Sequence, residues 1–385
     1  MDLNDYFDPV SLEKPEFSLI REVYTFSHSI TINTPDTPIR DIGKYDIALM
    51  GVREDKNAFL KGAASGPDAI REKLYMLGYV NKKVKIIDLG NLKITGNIND
   101  TYFALRDILH ELVTAKVIPV IFGGSQDLTY GLSLAFSNSD RFWNLSTLDS
   151  KLDFDSGKKT LSSENYLDTI FRENKHNRLN YINIGHQLYF IPLKMLDKLE
   201  NEGYESIRLG AARTALHETE PVMRDTHILS IDMSCVRQSD APGASIPTPN
   251  GFFGHELCQM TRYAGASDHL KAIGFFEISP EQDINNHTAH LAAQATWYFI
   301  DGYSLKTTEN PQISGSTKFI IDMTSPADQL VFYKSNQTDR WWIELPVKDP
   351  DTGRNLLLAC SYEDYQKACN HEIPDRWWKR MRRYS

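Results

Sequence analysis

The sequence predicts an α/β protein in three layers, with helices on both faces of a mostly parallel sheet, followed by a small β-rich appendage. Three observations predict it. Short apolar runs recur at 45–51 (YDIALMG), 84–90 (VKIIDLG), 117–124 (VIPVIFGG), 181–185 (YINIG), 227–232 (HILSID) and 271–279 (KAIGFFEIS), each bounded by turn residues. Runs of that length with little alternation mark strands buried on both faces. Between them lie helix-period stretches at Thr101–Lys116, Leu193–Glu202, Gly254–Ala264 and the Ala-rich Thr288–Asp301. Alternation of the two types is the pattern of a parallel sheet with crossover helices. Near residue 305 the pattern changes: after KTTENPQISGS come FIIDM, LVFYK, WWIEL and LLLAC, separated by polar turns and closed by a helical segment. The expected divisions are an N-terminal extension at 1–39, the main domain at 40–304 and the appendage at 305–385.

Composition narrows the functional classes. At 41% hydrophobic and 24% charged residues, the chain matches ordinary globular proteins and can bury a core without disulfides or a structural metal. A net charge of −9 provides no electrostatic footprint for nucleic acid, which requires concentrated Lys and Arg. Cys235, Cys258, Cys360 and Cys369 lack zinc or redox spacing, so free thiols are expected. The first residues, MDLNDYFDPVSLEKPEF, are acidic and lack the apolar core of a secretory signal. No apolar run approaches the roughly 20 residues that span a bilayer. A cytoplasmic location is the expectation.

In such sheets chemistry gathers beyond the carboxyl ends of the strands, and three strand ends carry unusual clusters. GGSQD at 123–127 follows a strand and precedes a helix; its glycines permit a tight turn that puts Gln126 and Asp127 at the helix start. A plain strand-to-helix turn is the structural alternative. LDSKLDFD places Asp149, Lys151 and Asp153 at alternate positions, a cation between two anions on one side of an extended chain. A solvated charged loop is the alternative there. SIDMSCVRQSDAPGASIPTP at 230–249 ends an apolar strand on Asp232, and a buried carboxylate must be paired or ligated. Its Pro- and Gly-rich continuation reads as a rigid loop.

The order and spacing of these clusters resemble the ureohydrolase family, which includes arginase, agmatinase and formimidoylglutamase, over about residues 40–303. The resemblance extends to GAASGPDAIR at 62–71, IIDLG at 86–90, PGASIPTPNGF at 242–252 and FEISPEQD at 276–283. It implies the arginase-type fold. Active members hold two manganese ions through GGxHS, DAHxD and SxDxD. Against those patterns Gln126 stands at the first His position, Lys151 at the second and Ser234 at the last Asp, while Asp149, Asp153 and Asp232 are kept.

Imidazole and carboxylate bind transition-metal ions far better than an amide or hydroxyl does, and an ammonium binds none. Lys151 is therefore expected to replace the metal electrostatically, in an internal salt-bridge network that Arg237 joins. The resemblance then implies a pseudoenzyme: a scaffold, regulatory subunit or ligand sensor with no catalytic residue and no cofactor. Glu277, in FFEISP, matches the family Glu that contacts the substrate's guanidinium or formimino nitrogen, so with Arg237 it is a candidate for a small cationic ligand; pairing with Lys151 or Arg237 is its structural alternative. The rival is an active hydrolase whose manganese site is rebuilt, with His186 and His255 as spare histidines; a hard-metal site for magnesium or calcium on Asp149, Asp153 and Asp232 is a further variant.

Four of the six tryptophans fall in the appendage. Trp341 and Trp342 read as packing residues. The tail, with Trp377, Trp378, Lys379, Arg380, Arg382 and Arg383, reads as a docking segment for a protein partner or, alternatively, for a membrane-associated assembly. Packing of the tail on its own domain is the competing expectation, and self-association into a homo-oligomer is also expected.

Overall fold

The computed structural model describes every residue except 12–19, 138–140, 155–156, 158–159, 175–177, 324–328, 351 and 385. The apolar runs become a ten-stranded sheet. Its strands are β1 (Phe7–Asp8), β2 (Thr31–Ile32), β3 (Ile47–Gly51), β4 (Ile86–Leu92), β5 (Ile118–Phe122), β6 (Trp143–Leu148), β7 (Leu179–His186), β8 (Glu205–Arg208), β9 (Ile228–Asp232) and β10 (Ala272–Phe276). They lie in the order β1-β4-β3-β5-β10-β9-β6-β7-β8, with β2 also beside β4. Among the described residues every pairing is parallel except β1 with β4.

Ten helices accompany them: α1 (Phe26–Ser29), α2 (Gly66–Met76), α3 (Ile98–Thr114), α4 (Leu128–Ser133), α5 (Tyr166–Glu173), α6 (Leu193–Asn201), α7 (Leu209–Thr214), α8 (Thr219–Asp225), α9 (Gly254–Gly265) and α10 (His287–Ser304). Strand side chains alternate between faces, so the sheet feeds two cores. Ile47, Leu49, Val120, Phe122, Ile273 and Phe275 point to α2, α9 and α10. Ala48, Met50, Ile121, Ala272 and Phe276 point to α3, α4, α5 and α6. These are the three layers the sequence predicts.

Two segments shared with the resemblance, GPDAIR and IIDLG, meet through one buried ion pair. Arg71 on α2 donates from Nε to Asp88 Oδ2 at 2.9 Å and from Nη2 to Asp88 Oδ1 at 3.1 Å. Gly90 O and Asn91 Oδ1 take two more of its hydrogens, and Tyr75 donates to Asp88 at 2.8 Å. Both charged side chains are fully buried, so each supplies the pairing that makes the other's burial tolerable.

Residues 1–39, expected as an extension, contribute β1 and β2 to the sheet and bury Leu3, Phe7 and Ile39 in its core. The appendage is a four-stranded antiparallel meander of β11 (Ser316–Asp322), β12 (Gln329–Ser335), β13 (Trp341–Lys348) and β14 (Asn355–Cys360), in that order. With α11 (Tyr362–Cys369) and α12 (Asp375–Tyr384) it encloses a core of its own that includes Phe332, Trp341, Ile343, Leu358 and Trp377.

One face of the tail packs on the chain's own domain, the competing expectation. Trp377 is 4% exposed and donates its indole N–H to Glu344 O at 2.9 Å. Arg380, 3% exposed, reaches Asn144 Oδ1 on β6 at 2.9 Å. Arg383 donates to Leu179 O, Glu202 O and Tyr204 Oη. The helical period explains the packing: residues 377, 380 and 383 share one face of α12, and that face lies against the chain's own domain. Trp378 and Arg382 are exposed, and Lys379 is half-buried. From the main domain, Arg224 donates to Trp341 O at 3.1 Å and Cys360 O at 3.3 Å. Its guanidinium lies over the Trp342 ring. All four cysteines are free; Cys235, Cys258 and Cys360 are buried and Cys369 is exposed. Among the described residues no helix is long and apolar enough to cross a membrane.

Trp377→Ala should cost about 3–5 kcal/mol of stability through lost burial, seen as a lower urea midpoint of the full chain. Trp378→Ala, at a site 44% exposed, should change it by no more than about 0.5 kcal/mol. Equal effects would contradict the orientation of α12.

Candidate functional site

β5, β10, β9 and β6 are consecutive in the sheet, and all four run the same way, so the segments beyond their carboxyl ends converge. Those segments begin at Gly123, Glu277, Met233 and Asp149. The paired glycines of GGSQD are required by proximity: a Cβ on Gly124 would strike the Glu54 carbonyl, and one on Gly123 would strike the Phe276 ring. The tight turn brings the Gln126 backbone N–H to Glu277 Oε1 at 2.9 Å. Glu277 itself has φ of 62°, a left-handed conformation that costs a side-chain-bearing residue roughly 1–2 kcal/mol. It is held there by its N–H on Gly124 O and by Ser245 N–H on its own carbonyl, each at 2.9 Å.

Asp149, Asp153 and Asp232 are all buried in the same cluster. Asp149 Oδ1 accepts the Lys151 backbone N–H at 2.8 Å, and Asp232 Oδ1 accepts that of Ser234 at 2.7 Å. The Ser234 and Ser150 hydroxyls lie 3.3 Å apart. Gln126 sits between the aspartates with its amide oriented to match both ends. With the amide assigned so that its nitrogen faces the aspartates, the nitrogen donates to Asp153 Oδ2 at 3.0 Å and Asp149 Oδ2 at 3.2 Å, and the oxygen accepts from Tyr166 Oη at 3.2 Å.

Burial drives the electrostatics. Desolvation, then the neighbouring Asp153 and Asp232, push Asp149 well above the usual carboxylate range, and its hydrogen bond with Asp153 adds to the rise. Desolvation lifts Asp153 to about 6 against the opposing pull of Lys151, and lifts Asp232 also. Lys151 shows the converse. Burial alone would lower its ammonium, but Asp153, Asp149 and Asp232 together hold it above its ordinary value. Glu277 is pushed up to about 8, by burial first and Asp232 second.

The structure thus brings together Gln126, Asp149, Lys151, Asp153, Asp232, Ser234 and Glu277. It corrects the expected network in three respects. Arg237 is not a member: it pairs with Asp240 at 2.8 Å and lies over the Phe253 ring. Glu277 pairs with neither Lys151 nor Arg237; its partner is the Gln126 N–H. Lys151 acts through its field, since it makes no direct ion pair among the described residues. Neither His186 nor His255 reaches the cluster. Among the described residues the one set of three His, Cys, Asp or Glu ligand atoms within 4.8 Å of one another is elsewhere, at His217, Glu218 and Glu363. Sequence reasoning missed Tyr166, which enters from α5 and carries no signal beyond following Asp153 in the chain.

The arginase-family profile matches residues 45–301, more than half of the 385 residues. The chain belongs to the arginase family. Among curated arginase-family relatives, a formimidoylglutamase of Staphylococcus haemolyticus is 26% identical over 67% of this chain and 86% of its own length. One from Streptococcus gordonii is 24% identical over 69% and 87%. Among solved structures, formimidoylglutamase from Bacillus subtilis aligns with a TM-score of 0.66 at 19% identity, covering 77% of this chain and 97% of that one. Trypanosoma cruzi formiminoglutamase, solved with manganese, gives 0.63 at 18%, covering 70% and 97%. The arginase fold is therefore observed in the main domain, and the four-stranded sheet is an addition to it.

The raised Glu277 has a consequence for stability. With a folded pKa of about 8 against an ordinary 4.5, the folded arginase-family chain holds a proton that the unfolded chain has released. That contribution is complete below pH 4.5, declines as pH rises and is gone above about pH 8. Glu277→Gln should flatten the fall in urea-unfolding free energy between pH 5 and 8; an unchanged slope would remove Glu277 as its source.

Proposed function

We propose that this arginase-family chain is a non-catalytic member whose site serves a scaffolding, regulatory or ligand-sensing role. The observation that carries the reading is the half-buried Lys151, its ammonium raised by Asp153, Asp149 and Asp232, in the position where active relatives resembling it have a histidine ligand. The rest of the donor set points the same way. Gln126 offers an amide already engaged with two aspartates and a tyrosine, Ser234 offers a hydroxyl, and the three aspartates do not converge as ligand atoms. Such a set does not fit a pair of manganese ions, which favour imidazole and carboxylate.

A metal pair supplies hydroxide at neutral pH and stabilises the tetrahedral intermediate. Lys151, held protonated by its carboxylate neighbours, can do neither. The site offsets its acids with one amide, backbone N–H groups and the field of one ammonium, and Glu277, pushed up to about 8, is neutral below that pH.

A second reading has one observation in its favour: the curated relatives are named formimidoylglutamases. It requires manganese ligands from residues other than those conserved in the motifs. Metal analysis separates the two. After incubation with excess manganese and dialysis, the purified chain should retain well under one ion and release neither urea, ammonia nor formamide from guanidino or formimino substrates. The combined Gln126→His, Lys151→His and Ser234→Asp variant should gain manganese. Two retained ions in the unsubstituted chain, with product release, would establish the second reading.

A further inference from the structure

A groove of about 560 Å³ opens at the carboxyl ends of β7 and β8, beside the acid cluster but outside it. Its wall is tied to the loop carrying Asp149 and Lys151 by the Gln187 N–H, which donates to Ser150 O at 2.9 Å. Among the described residues no carboxylate lines it, while Arg208, Arg213 and His186 do.

Arg213 is held in place rather than solvated at random. Its Nε is shared between Glu256 Oε1 and Oε2 at 3.1 Å each, and its guanidinium lies 4.0 Å from the centroid of Phe253. Its two terminal amino groups form no hydrogen bond among the described residues. Arg208, at the end of β8 and five residues before Arg213, has neither a hydrogen bond nor an ion pair on its guanidinium among them. His186 is 2% exposed, and its Nδ1 has no partner; a buried nitrogen left in that state forfeits a hydrogen bond.

We propose that this groove binds an oxyanion, the carboxylate or phosphate group of a small ligand, clamped by Arg208 and Arg213 with His186 on the inner wall. The planar guanidinium fork matches both groups and binds them in pairs of charge-assisted hydrogen bonds. Fixing Arg213 beforehand on Glu256 and Phe253 removes part of the ordering cost of binding. His186, pushed down to about 4 by burial and then by Arg208, is neutral and contributes hydrogen-bonding capacity without further charge. A cationic ligand has no counter-charge in this groove. The assignment stands whether or not the acid cluster is catalytic.

Isothermal titration calorimetry of the full chain with inorganic phosphate and, separately, malonate, at ionic strength matched with chloride, tests it. Saturable one-site binding of at least one anion is expected, and the better-bound one identifies the source as phosphate or carboxylate. Arg208→Gln, at an exposed position, should weaken that binding about tenfold or more with unchanged thermal melting. His186→Asn should weaken it as well. Arg106→Gln, at a half-buried position on α3 outside the groove lining, should leave it unchanged. No saturable binding of either anion, undiminished affinity in Arg208→Gln, or an equal loss in Arg106→Gln would overturn the proposal.

Discussion

The structure depends on the neutralisation of carboxyl groups buried at one edge of a parallel sheet. Asp149, Asp153, Asp232 and Glu277 all lie out of water, and an isolated buried carboxylate costs several kcal/mol. The chain meets that cost with local means: a hydrogen bond between Asp149 and Asp153, an amide from Gln126, backbone N–H groups at Asp149, Asp232 and Glu277, and the field of Lys151. Gln126 reaches from its own loop to those carrying Asp149, Asp153 and Glu277, and so ties three loops together.

That edge is only as rigid as the frame behind it. Arg71 and Asp88 lock α2 to β4 through a pair of hydrogen bonds closed off from solvent. The appendage is fastened at several points, through Arg224 to β13 and β14 and through Arg380 to β6. Arg376 adds an ion pair to Glu205 and another to Asp225. A buried pair broken on one side costs about 3–5 kcal/mol, which makes the seam between main domain and appendage specific in register as well as stable.

Much of the fold was legible because two-faced burial writes itself into sequence as continuous apolar runs. VIPVIFGG became β5 and HILSID became β9 almost without change, and FIIDM, LVFYK, WWIEL and LLLAC lie in the four strands of the appendage. β8 (Glu205–Arg208) was not legible: it is a four-residue edge strand, half-buried and charged at both ends, with no apolar run to betray it. In the site, Gln126, Asp149, Lys151, Asp153 and Asp232 were found from strand ends and from family resemblance. Arg237 was misplaced because proximity in sequence says nothing about which way a loop turns; Asp240, three residues on, captures it. For the tail, composition reports charge and aromatic content but not which helical face is covered, so docking and packing both stayed open.

The distribution of thiols turns the molecule into its own reporter. Cys369 sits exposed on α11, whereas Cys235, Cys258 and Cys360 are sealed in the cores. An alkylating dye therefore marks a single position on the appendage while the native packing holds, and the number of adducts per chain climbs as the interior opens. Because Cys360 belongs to the appendage core and Cys235 and Cys258 to the main one, mass spectrometry of the labelled peptides would reveal which unit loosens first.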